Sequence, residues 1–324
     1  MENIRVGVVG VGYLGQFHAE KYAKVEGAEL VGVVDIDTPR AKEIAKRYQV
    51  RPFSHHSELF GKVQAVSIAV PTCLHHAIAK DFLTQGIDVL IEKPISRTLE
   101  EADELIRLAE SKGLVLQVGH LERFNSALLA VEGAVKDPLF IESHRLAPFP
   151  KRGTDVSVVL DLMIHDIDLL LSWVPSRVTG IHAVGIPILT PLLDIANARI
   201  EFENGCTASL TASRVSRDKT RKTRILQPSG YLSIDFLFQK VFLTRKTSFP
   251  GEEGIPEIVR EEIPVRKGDP LEVEIRAFLR SVRDRKEVRV SGRDGKRALE
   301  LALQIVQKIE EFTEKNQTWG ALKG

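Results

Sequence analysis

Ile4-Arg5-Val6-Gly7-Val8-Val9-Gly10-Val11-Gly12-Tyr13-Leu14-Gly15 begins with a short apolar run and ends with glycines spaced i, i+2 and i+5. The run reads as a strand buried on both faces, and the residues after it read as the start of a helix. Between a strand and a helix, the first glycine makes the tight turn and the second lets a pyrophosphate approach the backbone. The third lets the helix pack closely, and the helix N-terminus faces the negative charge. Gly10, Gly12, Tyr13, Leu14 and Gly15 are therefore candidate dinucleotide contacts. The spacing alone is a weak signal, but Val33-Val34-Asp35 strengthens it: Asp35 lies twenty positions after Gly15, where a carboxylate accepts hydrogen bonds from an adenine ribose. The bland reading is a glycine turn followed by a solvated aspartate. A carboxylate at Asp35 repels a 2′-phosphate, which favours NAD over NADP, while Arg40 in the next helix keeps NADP open.

Outward from this segment, short apolar runs alternate with helix-period stretches to about residue 120. Val6 to Val9, Leu30 to Val34, Ala65 to Val70, Asp88 to Ile91 and Leu114 to Val118 read as strands. Crossover helices between them imply a doubly wound parallel sheet. Beyond Gly119 a helix is expected near Arg123 to Ala134, a strand near Phe140 to Arg145 and a long apolar helix from Val158 to Trp173. Residues from Val178 to Val265 read mostly as strand, and helices follow at Leu271 to Arg285 and Gly295 to Glu314. The fold class is thus α/β: a Rossmann domain over residues 1–120, then a substrate-binding and oligomerisation domain over 121–324 with a large, mostly antiparallel open-faced sheet. Such a sheet leaves one face for a second copy to cover, so a homo-oligomer, dimer or tetramer, is expected.

Composition narrows the function classes. The 324 residues suit about two domains, and 43% hydrophobic content fills their cores without disulfides. Forty-five Lys and Arg balance forty-four Asp and Glu, so no net field draws the chain to nucleic acid or anionic lipid. Two cysteines, Cys73 and Cys206, form neither a disulfide framework nor a zinc site. The first strand starts near Met1 and no apolar run reaches spanning length, so the expected location is cytoplasmic, with no membrane partner.

Three segments carry chemistry. Pro71, Thr72 and His75 sit at the C-terminal end of a predicted parallel strand, the edge where ligands bind, although His75 is as readily a surface histidine. Glu92-Lys93-Pro94 ends another such strand and places a lysine near the reactive end of a bound dinucleotide. The predicted helix from Val158 is apolar all round yet carries Asp161, His165 and Asp168 at i, i+4 and i+7. A histidine flanked by carboxylates suits proton removal from an alcohol. A satisfied core network is the plainer alternative, and a divalent metal site ranks below both, so no metal is assigned.

Together the Gly10-Gly12-Gly15 turn, Asp35, Pro71 to His75, Glu92-Lys93-Pro94, Gly119 with Arg123-Phe124-Asn125, and Asp161 to Asp168 resemble the Gfo/Idh/MocA family of NAD(P)-dependent oxidoreductases. The resemblance implies a Rossmann domain joined to an open-sheet domain used in oligomer contacts. It also implies a catalytic set of Lys93, Asp161 and His165, with Glu92 and Lys93 beside the cofactor; whether His165 or Lys93 accepts the proton stays open.

Gly119 to Asn125, Arg145 to Arg152 and Asp155 to Asp166 resemble the branch of that family that oxidises UDP-N-acetylglucosamine at C3, with Ser126 where a proline often stands. This implies a nucleotide-sugar substrate and a ketone product passed to a PLP-dependent aminotransferase. Arg214, Arg217, Lys219, Arg221, Lys222 and Arg224 crowd one strand-turn-strand stretch; alternation places Lys219, Arg221 and Arg217 on one face, suited to a diphosphate. Arg123, Asn125, Arg145, Arg152, Asp161, His165 and Arg221 form the candidate substrate set. An ordinary solvated or subunit-contacting turn is the alternative for the cluster. A dehydrogenase of a free polyol or hexose, inositol-type, and more remotely a non-catalytic NAD-binding regulator, are the competing functions.

Overall fold

The computed structural model describes residues 2–149, 156–250 and 256–315. The chain divides into two compact units: residues up to Phe124 with Asp269–Arg297, and Asn125–Gly268 with the residues from Ala298 onward. A single cut between residues 120 and 121 was expected, so the observed first unit differs in being discontinuous. Its late segment carries Ile275, Phe278, Leu279 and Val282, which complete the apolar core beside the N-terminal strands.

The N-terminal part of the first unit runs β1 (Ile4–Val9), α1 (Gly15–Tyr22), β2 (Ala28–Val34), α2 (Thr38–Tyr48), β3 (Arg51–Phe53), β4 (Ala65–Ile68), α3 (His75–Thr84), β5 (Asp88–Glu92), α4 (Leu99–Lys112) and β6 (Leu116–Gly119). The strands pair in parallel in the order β3-β2-β1-β4-β5-β6. This is the doubly wound sheet that the alternating pattern predicts. β3 escaped that pattern because it is a three-residue edge strand whose Arg51 and Pro52 are exposed. The strand order reverses between β1 and β4, the place where open α/β sheets bind ligands at their carboxyl ends.

The chain continues through α5 (Ser126–Leu129), β7 (Phe140–Leu146), a π-helical turn at Val159–Met163, α6 (Ile164–Trp173), β8 (Val178–Ile186), β9 (Ile195–Phe202), β10 (Thr207–Ser213), β11 (Thr220–Gln227), β12 (Gly230–Asp235), β13 (Lys240–Pro250) and β14 (Pro256–Ile263). It ends in α7 (Pro270–Asp284), which belongs to the first unit, and α8 (Gly292–Lys315). The helix expected near Arg123 to Ala134 is shorter than its pattern, a 3-10 turn at Leu121–Phe124 followed by α5. Asn125 stands between them in extended backbone and caps α5 by accepting the Ala127 N–H.

The eight strands of the second unit lie in the order β14-β13-β12-β11-β7-β10-β9-β8, antiparallel except where β10 runs parallel to β7. Alternate residues such as Ile141, Ala198, Leu210 and Ile225 join Ile164 and Ile167 of α6 in one apolar core. The opposite face stays polar, with Glu142 paired to His144 at 3.2 Å and to Arg224 at 3.2 Å.

Ionisable side chains enter both cores. In the second unit Arg214 is fully buried and donates Nε to Asp194 at 2.7 Å, Nη1 to the Val156 carbonyl at 2.7 Å and Nη2 to Thr190 Oγ1 at 2.9 Å. Asp194 also accepts the backbone N–H groups of Ile188, Leu189 and Thr190. Burial alone would push the Asp194 carboxyl up, but Thr190, Arg214, Ile188 and Leu189 hold it well below the ordinary carboxylate range. The pair therefore stabilises fully above the unfolded aspartate pKa near about 3.9 and fades as pH falls toward the native value. Removing either partner leaves a buried ion. Asp194→Ala or Arg214→Ala is expected to cost about 3–5 kcal/mol at neutral pH in urea unfolding, and an unchanged midpoint would refute the pairing argument.

In the first unit Glu274 of α7 is fully buried, and neither carboxyl oxygen has a hydrogen-bond partner among the described residues. Burial, and then the charge of Glu92, raises its pKa well above the usual value. A raised carboxyl favours the protonated fold, so stability falls as pH rises from the unfolded value toward the folded one, by about 1.4 kcal/mol per pH unit for one group. Glu274→Gln removes that loss. The variant's melting temperature is expected to exceed the wild type's by a margin that widens from acidic to alkaline buffer; a margin independent of pH would contradict it.

Candidate active site

The turn after β1 is built by exclusion of side chains. Gly10 has φ +81°, and a Cβ there would stand 2.7 Å from the Ala69 carbonyl oxygen; a Cβ on Gly15 would fall 1.7 Å from the Gly10 oxygen. Gly12 has nothing within 4 Å of where a Cβ would be, so open space lies over the middle of the turn. Tyr13 and Leu14 beside it are 61% and 46% exposed. Asp35 braces this turn: Oδ2 accepts the Val11 N–H at 2.9 Å and Oδ1 the Asp37 N–H at 2.9 Å. Each oxygen keeps further acceptor capacity for a ribose hydroxyl. Arg40 is committed to the same brace, with Nε on the Val11 carbonyl at 3.0 Å, Nη2 on Gln16 at 2.9 Å and Nη1 on Glu43 at 2.8 Å. These residues fit a dinucleotide: an open glycine turn at a helix N-terminus, with a carboxylate at the end of the next strand.

At the end of β4, Pro71 is exposed and Thr72 begins a 3-10 turn leading into α3. His75 is buried rather than presented to a ligand, a correction to the expected cofactor contact. Its Nδ1 lies 2.8 Å from the Pro94 carbonyl and its Nε2 2.9 Å from the Val70 carbonyl. Burial lowers its pKa despite those two carbonyls, and the ring bridges the Pro71 loop and the Glu92-Lys93-Pro94 segment. Lys93 is half-buried, and its bond to Pro94 is cis. Glu92 Oε1 sits 3.0 Å from His18 Nε2.

In the second unit Asp161 lies inside the π-helical turn and His165 in the first turn of α6; both are half-buried, while Asp168 is 1% exposed. π-Helical turns often mark functional sites. Asp166, which the sequence reading passed over, binds Arg145 of β7 through Nε at 2.7 Å and Nη2 at 3.1 Å and accepts Ser143 Oγ at 2.9 Å. Arg145 is thus a paired core residue, 2% exposed, which corrects its expected role as an anion contact. Arg214 likewise leaves the surface cluster for the core. Arg221 stands opposite Arg145 across the β11–β7 pairing, on the face that also carries Thr223 and Ile225. Lys222 and Arg224 point to the other face, and Arg217 and Lys219 are exposed ahead of the strand. Asn125 is buried, with Nδ2 on the Phe236 carbonyl at 3.0 Å and Oδ1 on Ala127, a structural part in place of the expected substrate contact. Arg123 is half-buried, and its carbonyl accepts Arg289. Arg152 lies outside the described residues.

Besides Asp166, the sequence reading missed His18 and Glu274. A signal existed for Glu274, which lies between Val273 and Ile275 on the apolar face of α7, four positions before Phe278. Among the described residues no group of His, Cys, Asp and Glu side chains converges as a metal site, and no helix is long and apolar enough to cross a membrane.

The model of the oxidoreductase family with an NAD-binding Rossmann fold matches residues 4–120, and that of the GFO/IDH/MocA C-terminal domain matches residues 129–233. The chain is 38% identical over 316 residues to a UDP-N-acetylglucosamine 3-dehydrogenase of Acidithiobacillus ferrooxidans, covering 97% of this chain and 100% of that one. The solved structure of that enzyme superposes with a TM-score of 0.90 over 96% of this chain and 99% of the other. An inositol 2-dehydrogenase of Rubrobacter xylanophilus is 34% identical over 57% of this chain and 56% of its own length. A scyllo-inositol dehydrogenase of Lactobacillus casei, solved with NAD(H) and scyllo-inositol, is 23% identical over 96% of this chain and 98% of its own and shares the fold at a TM-score of 0.78. The chain belongs to the Gfo/Idh/MocA family of oxidoreductases, enzymes that act on CH–OH groups through an NAD-binding Rossmann domain.

Proposed function

We propose that the protein oxidises a sugar hydroxyl to a ketone, most specifically the C3 hydroxyl of UDP-N-acetylglucosamine, with NAD. The observation that carries this reading is the 38% identity, over essentially the full length of both chains, to an enzyme with that activity. Bound NAD supplies the hydride acceptor. The chain's own residues do the rest: His165 takes the hydroxyl proton, Lys93 holds the developing alkoxide, and Asp161 orients the base or the substrate. This role assignment rests on the motif resemblance, on the half-buried state of all three residues, and on the π-helical turn that carries Asp161.

NAD is favoured over NADP because Asp35 keeps a carboxylate at the ribose position and Arg40 has its guanidinium engaged by Val11, Gln16 and Glu43. Arg221, on the helix-bearing face of β11, is the strand residue retained for the diphosphate. The polar face of the eight-stranded sheet is proposed to meet a second copy, and an aminotransferase is the proposed consumer of the ketone, in the cytoplasm.

Two observations keep a polyol substrate as the second reading. Arg145 is neutralised by Asp166, which removes one of the cations offered to a diphosphate, and inositol dehydrogenases are among the relatives.

Purified protein given NAD and a panel of UDP-N-acetylglucosamine, UDP-glucose, free N-acetylglucosamine and myo-inositol is expected to form NADH with the first, more so when an aminotransferase and glutamate remove the ketone. Turnover of myo-inositol alone would leave the family intact and end the nucleotide-sugar reading. Lys93→Ala is expected to lower kcat by about 10²-fold or more while NADH fluorescence still reports binding; an active variant would remove Lys93 from the mechanism. Wild-type kcat/KM with NAD is expected to exceed that with NADP by roughly tenfold or more, the equivalent of about 1.4 kcal/mol, and equal use would refute the Asp35 argument. Light scattering at micromolar concentration is expected to show an oligomer, and a monomer would leave the open face unexplained.

A further inference from the structure

His18 sits on α1, three positions after Gly15, and is 1% exposed. Its Nε2 is 3.0 Å from Glu92 Oε1, and Glu92 Oε2 accepts the Lys93 backbone N–H at 3.3 Å. Gly119, opposite Glu92 on β6, lacks the Cβ that would stand 3.1 Å from Glu92 Oε2. The carboxylate is therefore held at both oxygens and has a backbone surface beneath it. Burial would raise the Glu92 carboxyl, but the His18 hydrogen bond and the Lys93 ammonium beside it hold it below the ordinary range. Other described residues also occupy this side of the sheet. Tyr22 of α1 bonds to Ser67 of β4 at 2.8 Å, Gln117 of β6 is an amide, and burial raises the carboxyl of Glu274 on α7.

We propose that His18 is a positioning residue for Lys93: by fixing the Glu92 carboxylate, it sets the direction of the Glu92–Lys93 peptide from which the Lys93 side chain departs. This rests on the reading that Lys93 acts on the substrate hydroxyl. His18 is buried and bonds to Glu92, so it acts through Glu92. Misplacing a reacting group by about 1 Å costs on the order of 10²-fold in rate, which is the scale at which a lost grip on Glu92 registers.

The test uses the full chain with two variants. His18→Ala removes the grip, and His18→Gln offers an amide N–H near the place of imidazole Nε2. His18→Ala is expected to lower kcat for UDP-N-acetylglucosamine oxidation by roughly 10- to 100-fold with KM values little changed, and His18→Gln to recover most of it. NADH binding, followed by fluorescence, should persist in both. Unchanged kcat in His18→Ala would overturn the proposal. So would equal loss in the two variants, or a loss that tracks falling NADH affinity and melting temperature, since either marks a purely structural histidine. A readout without turnover separates this inference from the functional one: long-range proton–nitrogen NMR of the cofactor-free wild type identifies which ring nitrogen of His18 carries the proton. A proton on Nε2 supports the proposal even if UDP-N-acetylglucosamine proves not to be the substrate. A bare Nε2 overturns it even if the enzyme is active.

Discussion

A charged group taken out of water must find a partner of opposite charge, a set of hydrogen bonds or a neutral state, and this constraint organises both units of the protein. Each outcome is present. Arg214 and Asp194 pair and add backbone partners; Arg145 and Asp166 pair and add Ser143; Glu92 bonds to His18; Glu274 has its carboxyl pKa raised by burial, toward the neutral form. None of these arrangements adds stability in the way an apolar residue of the same volume does. What they add is definition, because an ion in an apolar layer tolerates only the geometry in which it is matched.

That definition falls on the segments that carry the chemistry. Arg214 donates to the Val156 carbonyl, and the Val158 N–H is given to Leu193, so the chain entering the π-helical turn is fixed from both sides. Asp166 ties α6 to β7 one residue after His165. In the first unit, Asp35 and Arg40 bind the Val11 N–H and carbonyl, which sets the glycine turn before any ligand arrives. The rigid elements and their buried ions thus supply pre-organisation, and the exposed Tyr13, Leu14 and Pro71 stand on loops between them.

The legibility of these features follows the range of the interactions that make them. Strands β1, β2, β4, β5 and β6 were visible because each is a short apolar run whose periodicity is local, and the glycine turn because its glycine spacing falls within six residues. Glu92-Lys93-Pro94 and the Asp161 to Asp168 stretch were visible as motifs. The pairings were not: Arg145 meets Asp166 across 21 positions, Arg214 meets Asp194 across 20, and His18 meets Glu92 across 74. Without the sheet registers, Arg145 and Arg214 read as surface cations, because most arginines are. The return of α7 to the first unit was hidden for the same reason, since an amphipathic helix declares an apolar face but not which core receives it.

The π-helical turn shows how a local irregularity serves the site. In a regular α-helix each residue advances about 100°, so Asp161 and His165, four apart, are offset by about 40°, whereas Asp161 and Asp168, seven apart, differ by about 20°. On that count Asp161 should align better with Asp168 than with His165. A π turn closes with one more residue, so each step within Val159–Met163 advances less. The overshoot between Asp161 and His165 shrinks, and Asp168, which keeps its fixed offset from His165 within α6, rotates away from Asp161. The burial agrees with this, with Asp161 and His165 half-exposed together and Asp168 sealed in the core. The widened turn thus converts a three-member stripe into a two-member pair.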